Sequence, residues 1–426
     1  MRILVTGATG FIGGAVVDAL LARGHVPVPA VRDVAAAKRR WPQLDPVACD
    51  FMRDTRAEAW HPRLADVDAV VNAVGILRES RHATFAALHS ATPRALFTAA
   101  ADVGVRRIVQ VSALGADAQA ASRYHLSKRE ADDALLALPV RGTVIQPSVV
   151  FAPEGASAGA FLAMASLPVL GLPGGGVQHL APVHLDDVVE AIVRVLEADA
   201  PPSRIEAVGP ACVTMRDYLD ALRHQLGRGP LRVLPVPMPL VRLGAHAMAH
   251  VPGSIVDPET IAMLERGNCA APEGFAAVLG RPPRAIAAFV RPGDSVALRT
   301  RAQLQWLLPV LQIALALVFV VTGLLSLGLY PVEASRELLA RTGLTGGLAD
   351  LALYGGALID LALGVAMLLP RRIRRPAYLA AAALVLGYTA IITLALPEFW
   401  LHPFGPVLKN IPILAMLALL HELDRA

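Results

Sequence analysis

Three glycines near the start of the chain constrain its fold most. They stand in the run Val5-Thr6-Gly7-Ala8-Thr9-Gly10-Phe11-Ile12-Gly13. Residues 2–6 read as a buried strand. Residues 11–23 read as a helix with Phe11, Val16, Leu20 and Leu21 on one face. A G-x-x-G-x-x-G turn between a strand and a helix lets the backbone approach a phosphate group closely and aims a helix N-terminus at its charge. The spacing is a variant of G-x-G-x-x-G, and its place between strand and helix gives it weight. The apolar stretch 3–22 is thereby explained as strand, turn and helix rather than as a leader peptide.

The pattern continues. Val26–Val31, Val47–Cys49, Ala69–Ala73, Arg107–Ser112 and Gly142–Gln146 read as further strands, with helices at Ala83–Val103 and Ser122–Leu138. Apolar strands alternating with helices predict an α/β fold, a Rossmann-like, doubly wound parallel sheet covered on both faces. Residues 151–290 are looser, with helices at Asp186–Leu196 and Met215–Leu226, and read as a smaller substrate region. Within it Leu234–Val251 is apolar and reads either as core or as a face turned to a bilayer. Residues 291–303, with Pro292-Gly293, read as a linker.

The remaining segment, 304–426, changes character. The chain has 426 residues and is 55% hydrophobic but only 17% charged, against about 25% charged in soluble domains. Its mean hydropathy is +0.52. Apolar segments at Trp306–Leu329, Leu348–Leu369, Ala377–Leu396 and Val407–Leu420 account for the excess and predict an all-α, four-helix transmembrane domain. The last is short and carries Lys409, which snorkels, and Pro412. Arg299 and Arg301 precede the first span. Arg371, Arg372, Arg374 and Arg375 crowd the loop between the second and third, and Arg425 follows the fourth. The positive-inside rule then places both termini and the nucleotide domain in the cytoplasm, in a multi-pass protein of a bacterial-type inner membrane. Asp360, in the middle of the second span, is expected to face the bundle interior, with Tyr388, Thr389 and Asn410 as candidate partners.

A net charge of +4, scattered along the chain, gives no basis for nucleic-acid binding. The three cysteines, Cys49, Cys212 and Cys269, have no metal-ligand spacing, and no metal site is expected. Their odd number argues against a disulfide framework, so they read as small buried hydrophobes.

Ser112 ends a strand, and Tyr124 and Lys128 follow at Y-x-x-x-K spacing. Positions i and i+4 share a helix face, so both side chains can address one ligand beside the crevice at the strand ends. With these residues in place, 1–290 resemble the short-chain dehydrogenase/reductase superfamily in its extended and atypical branches. The matching pieces are Thr6-Gly7-x-x-Gly10-x-x-Gly13, Asp50, Asn72-Ala73-Val74-Gly75, Ser112, Tyr124-x-x-x-Lys128, Gln146-Pro147-Ser148 and Val183-His184-Leu185-Asp186-Asp187-Val188. The stretches Asn72–Leu77 and Val103–Asp117 are similar to the subgroup that includes the nucleotide-binding accessory subunit of respiratory complex I. Residues 304–426, notably Trp400-Leu-His-Pro-Phe-Gly-Pro-Val-Leu-Lys409-Asn410, resemble the DoxX-like membrane family.

The resemblance implies roles. Tyr124 is the general acid/base. Lys128 lowers the tyrosine's pKa and binds the nicotinamide ribose. Ser112 holds the substrate oxygen. Thr6, Gly7, Thr9, Gly10, Phe11, Ile12 and Gly13, with Ala73, Val74, Gly75 and Pro147, surround the nucleotide, and Asp50 contacts adenine or caps a turn. Arg32, after the second strand, suits a 2′-phosphate and favours NADP(H) over NAD(H), with Arg39 and Arg40 as candidate helpers. Two departures stand out: His89 where many relatives carry Asn, and Ala152 where a glycine is frequent. His184 reads as a structural residue beside a helix cap.

Three functions follow as expectations. One is a membrane-anchored oxidoreductase that transfers a hydride between NADP(H) and a carbonyl or alcohol of a lipophilic substrate. The second is a silent nucleotide-binding or redox-sensing module that docks a membrane-protein partner. The third is a nucleotide-sugar epimerase or dehydratase.

Overall fold

A computed structural model describes residues 1–248 and 257–424. The chain divides into two compact units, Met1–Ala302 and Gln303–Ala426.

The first unit is built on seven strands: β1 (Arg2–Thr6), β2 (Val26–Val31), β3 (Val47–Ala48), β4 (Ala69–Asn72), β5 (Arg107–Val111), β6 (Arg141–Pro147) and β7 (Arg204–Ala207). Their spatial order is β7-β6-β5-β4-β1-β2-β3, and every neighbouring pair is parallel. The order reverses between β1 and β4, where the register pairs Thr6 with Asn72. That reversal opens a crevice at the carboxyl ends of the strands. β7 lies outside the six strands read from the sequence. Its alternation is short and interrupted by charge, as its sheet-edge place allows.

Period-2 alternation divides the core. Ile3, Val5, Val109 and Val111 face one side, against Val16 and Leu20 of α1 (Phe11–Ala22) and Val188 and Ile192 of α5 (Leu185–Glu197). Leu4, Val70 and Ile108 face the other, against Leu96 of α3 (Thr92–Asp102) and Leu135 of α4 (Arg123–Leu136). Both faces are therefore sealed, as a parallel sheet requires. The long helix read at 83–103 is two pieces: a wider π-type segment, Ala86–Ala91, precedes α3.

One sequence expectation is corrected. Cys212 and Cys269 form a disulfide across 57 residues of chain, and Cys49 alone stays a buried free thiol. Spacing could not reveal that pair, because the fold brings the two segments together. Within the 291–303 segment read as a linker, residues 295–303 are helical. They begin the helix Ser295–Leu324, whose Leu298 and Ala302 are buried in the core of the first unit.

The second unit contains three helices long and apolar enough to cross a bilayer: the 295–324 helix with its continuation to Leu329, Gly347–Met367 and Arg371–Ala395. The fourth apolar helix, Asn410–Leu423, has 14 residues. Its length of roughly 21 Å falls short of a ~30 Å hydrocarbon core. Small residues let the first two come close. A Cβ at Gly323 would lie 2.7 Å from the Ala357 carbonyl oxygen, and one at Gly364 would lie 2.9 Å from that of Ala316. Asp360 is buried, as expected for an intramembrane carboxylate. Asn410 donates to Thr389 Oγ1 at 2.8 Å rather than to Asp360. Arg425 lies outside the described residues, as do residues 249–251 of the Leu234–Val251 segment. In the described part of that segment Leu234, Leu240 and Leu243 are exposed.

Candidate nucleotide and catalytic site

The glycine turn has a steric reason at two positions. Gly7 has φ +68°, and a Cβ there would meet the Ala73 carbonyl group at 2.8 Å. A Cβ at Gly13 would stand 2.2 Å from the Gly7 carbonyl oxygen. Only hydrogen fits, so α1 starts directly against the β1 turn and its first free amides face the crevice. The crevice there is a cleft of 250 Å³.

Gly7, Thr9, Gly10, Arg32, Asp50, Ala73, Val74 and Gly75 line this cleft, joined among others by Phe51, Met52, Ile76 and His82. These last four were not foreseen: Phe51, Met52 and His82 lie in irregular loops without a motif, and Ile76, though within the matched stretch Asn72–Leu77, was given no role. Thr6 and Pro147 do not line it. The Thr6 hydroxyl donates to Asn72 Oδ1 inside the sheet, and Asn72 in turn donates to Gln110 Oε1 at 2.7 Å. Pro147 is buried in β6, where its carbonyl accepts from Leu114 N. The Phe11 ring covers Gly155, Ile12 packs into the core and Gly13 is buried, so these three offer the cleft backbone only.

Arg32 is exposed at the lip of the cleft. Asp33, beside it, points away: its carboxylate caps α2 (Val34–Arg40) by accepting from Ala36 N at 2.8 Å. Arg40 does not assist Arg32, because its guanidinium pairs with Asp18 at 3.0 Å and lies over Trp41. Arg39 is exposed but does not line the cleft. Asp50 both lines the cleft and closes a turn by accepting from Met52 N at 3.0 Å. The Cys49 thiol, also in the wall, is pushed up to about 12 by burial and is a weak nucleophile.

Lys128 does not line the cleft itself but is buried against two residues that do, Val74 and Gly75, and its Nζ donates to the carbonyl oxygens of Val74 at 3.0 Å and Val111 at 3.1 Å. Those carbonyls follow β4 and end β5. An ammonium carries three donors, so one remains for a ligand hydroxyl. Ser112 comes next in the chain, and its hydroxyl donates to Asp132 Oδ2. Asp132, fully buried, was missed in the sequence. It stands four residues after Lys128 and eight after Tyr124 on α4, on the same face.

Burial pushes the Asp132 carboxyl up to about 6, against the pull of Ser112 and Lys128. Burial also brings Lys128 down to about 8. Tyr124 is pushed up to about 12 by burial, with Asp132 adding to the rise. The resemblance implied that Lys128 would lower the tyrosine. Here desolvation and the neighbouring carboxylate prevail, and the phenol holds its proton near neutral pH.

His89, in the π-type segment, accepts from Ile76 N at 3.0 Å through Nε2. Its Nδ1 lies 3.0 Å from Ser127 Oγ, which itself donates to Tyr124 O. Nδ1 therefore carries the hydrogen and the ring is neutral; burial, then Lys128, depresses its pKa to about 2. His89 thus fastens the strand-end loop to the helix of Tyr124 and Lys128. His184 caps α5 by accepting from Asp186 N at 3.2 Å, as its structural reading held.

Comparison with known proteins fits this geometry. Residues 3–209 match the model of the NAD dependent epimerase/dehydratase family. A 3-diazoavenalumate denitrifying reductase of Streptomyces is 30% identical over 266 residues, which cover 55% of this chain and 84% of that protein. The chain belongs to the NAD-dependent epimerase/dehydratase family. Beyond that domain, residues 316–418 match the DoxX-like family. The mitochondrial NADH dehydrogenase 1 alpha subcomplex subunit 9 of Arabidopsis thaliana is 26% identical over 245 residues, 56% of this chain, and the chain spans 61% of that protein's length. An NADPH-dependent quinone oxidoreductase of Escherichia coli, solved with NADPH, matches with a TM-score of 0.53 at 19% identity, covering 67% of this chain and 97% of that one. That likeness shows the shared fold. The protein is thus an NAD(P)-binding epimerase/dehydratase-family domain joined to a DoxX-like membrane domain.

Proposed function

We propose that the protein is a membrane-anchored oxidoreductase that interconverts a carbonyl and an alcohol with NADP(H). One observation carries this reading. Lys128 Nζ is held by Val74 O and Val111 O, against the cleft-lining loop Ala73–Gly75, one helical turn from Tyr124. The fit of a dinucleotide rests on the space that Gly7 and Gly13 leave open, the amides at the start of α1, and Arg32 at the lip. Bound there, NADP(H) supplies the hydride.

The chain's own residues do the rest. The spare donor of Lys128 binds a ribose hydroxyl. Tyr124, protonated at neutral pH, gives its Oη proton to the substrate oxygen, which favours the reducing direction. Asp132 fixes the Ser112 hydroxyl, and Ser112 Oγ–H donates to the substrate carbonyl oxygen only after turning from it. Arg32 favours the 2′-phosphate, since Asp33 is turned to the α2 cap. A domain joined to bilayer-crossing helices suits a lipophilic substrate. The arginines at 371–375 support a cytoplasmic placement of the domain in an inner membrane.

The engagement of Ser112 with Asp132 favours a second reading, a nucleotide-holding module without turnover that serves a membrane-protein partner. A nucleotide-sugar epimerase remains the reading closest to the family name. Full-length protein assayed for NADPH oxidation against aliphatic and isoprenoid aldehydes and ketones, UDP-sugars alongside, separates these. Turnover with a lipophilic carbonyl, reduced at least about 100-fold in Tyr124→Phe while NADPH binding persists, supports the reductase. Unchanged turnover in that variant refutes the role of Tyr124. Binding without any turnover refutes the enzyme.

A further inference from the structure

We infer that the membrane unit holds a binding site for a lipid-soluble small molecule with a carbonyl or hydroxyl head. The inference stands apart from the nucleotide domain. The second unit contains a cavity of 440 Å³, within the ~300–1,000 Å³ range of small-molecule sites. Leu338, Leu344, Ile391, Ile392, Leu396 and Val407 give it apolar walls. Tyr388 and Asn410 bring polar groups to the same space.

Both have hydrogen-bonding capacity to spare. Asn410 Nδ2 donates to Thr389 Oγ1 at 2.8 Å, and Thr389 Oγ1 donates to Val385 O at 2.7 Å. The amide oxygen of Asn410 and the hydroxyl of Tyr388 have no hydrogen-bond partner among the described residues. The Tyr388 hydroxyl lies over Gly356, where a Cβ would stand 2.9 Å from it. Glycine at 356 makes the room that lets the ring reach inward. One turn further along the same helix is Asp360, 6% exposed and within electrostatic reach of Tyr388. It too has no hydrogen-bond partner among the described residues.

A cavity filled only by acyl chains has no use for this set. Polar groups inside a bilayer are costly and persist where a polar partner meets them. The occupant therefore carries an apolar body for the Leu and Ile walls. Its oxygen accepts from Tyr388 Oη, and any hydroxyl donates to Asn410 Oδ1. Tyr388 comes 17 residues after Arg371 on its helix, roughly 25 Å along the axis. The site thus lies toward the end of the bundle opposite the arginine cluster.

The test is equilibrium binding of labelled farnesol and of a labelled short-chain benzoquinone to the full-length protein in detergent micelles, with hexadecane as the apolar control. Lipids retained through purification are identified by mass spectrometry. At least one oxygen-bearing probe is expected to bind saturably at one site. Loss of one or two hydrogen bonds in Tyr388→Phe/Asn410→Leu weakens it about five- to tenfold, and Ala352→Trp, which fills the cavity from another of its lining positions, prevents it. Circular dichroism and gel filtration show that the variants are folded, with Tyr388→Phe alone as the mildest. Absence of saturable binding, affinity unchanged in folded variants, equal competition by hexadecane, or retention of phospholipid alone overturns the inference.

Discussion

Replacing Gly13 with alanine tests the turn on which the nucleotide site rests. The new methyl would stand 2.2 Å from the Gly7 carbonyl oxygen and 2.7 Å from its carbon. Ordinary contact needs more than 3.4 Å, so backbone must separate by about 1 Å. The obstacle is the peptide between β1 and α1, not a side chain that can rotate away. Overpacking of this kind costs about 1–3 kcal/mol, partly offset by alanine's helix preference of about 1 kcal/mol. The larger loss falls on binding, because the displaced elements are those that aim the α1 amides at phosphate. An affinity loss of about 10- to 100-fold for NADPH is expected, equivalent to about 1.4–2.8 kcal/mol. Gly14 supplies the control one residue on. A Cβ there meets Arg40 guanidinium nitrogens at 3.0 and 3.1 Å and Ala8 O at 3.2 Å. The arginine can swing aside, so Gly14→Ala binds NADPH within about threefold of wild type. NADPH fluorescence titration of the full-length protein reads both. Gly13→Ala binding as tightly as Gly14→Ala refutes the steric argument.

Arg32→Ser should weaken NADPH about 10-fold or more, the scale of a lost hydrogen bond to a charged group, and leave NADH within about twofold; equal losses contradict a 2′-phosphate contact. Asp132 is raised from 3.8 to about 6 by burial, so its contribution is fully present below pH 4 and is lost as pH rises through 6, about 3 kcal/mol in all. Asp132→Asn removes that slope, and melting curves between pH 4 and 8 that stay parallel to wild type rule it out. Gly364→Leu should lower the melting temperature of the full-length protein in detergent, because its side chain would meet Ala316 O and Val320 on the neighbouring helix. The paired Cys212 and Cys269 should be protected from alkylation after oxidation and become reactive on reduction, while buried Cys49 stays unreactive in the folded protein; two additional labelled thiols after reduction confirm the pairing, and none contradicts it.

Much of this was legible because the local chemistry is repetitive. Six of the seven sheet strands announce themselves as apolar runs, and the glycines sit where only hydrogen fits. Tyr124 and Lys128 follow from helical spacing. Asp132 has the same spacing but hides in the polar run Lys128-Arg-Glu-Ala-Asp132-Asp133, where Asp133 is an exposed partner of Arg129 and Arg204. Extending the i, i+4 reading one turn would have found it. The disulfide and the rotation of Asp33 toward its helix were not legible, because both depend on where distant or irregular segments settle. In the 291–303 segment Pro292-Gly293 break the chain just before a helix that starts at Ser295, a helical start that the polar composition did not announce. The fourth apolar segment, read at 407–420, is a helix at Asn410–Leu423, short as its sequence indicated.

The central claim is that the cleft between β1 and β4 binds a dinucleotide in position to react at Tyr124. The most direct measurement is titration of the purified full-length protein with NADPH, followed by fluorescence. Saturable binding near one equivalent, strongly weakened in Lys128→Met and retained in Tyr124→Phe, is the predicted result. Absence of a saturable signal, or equal binding by Lys128→Met, contradicts it.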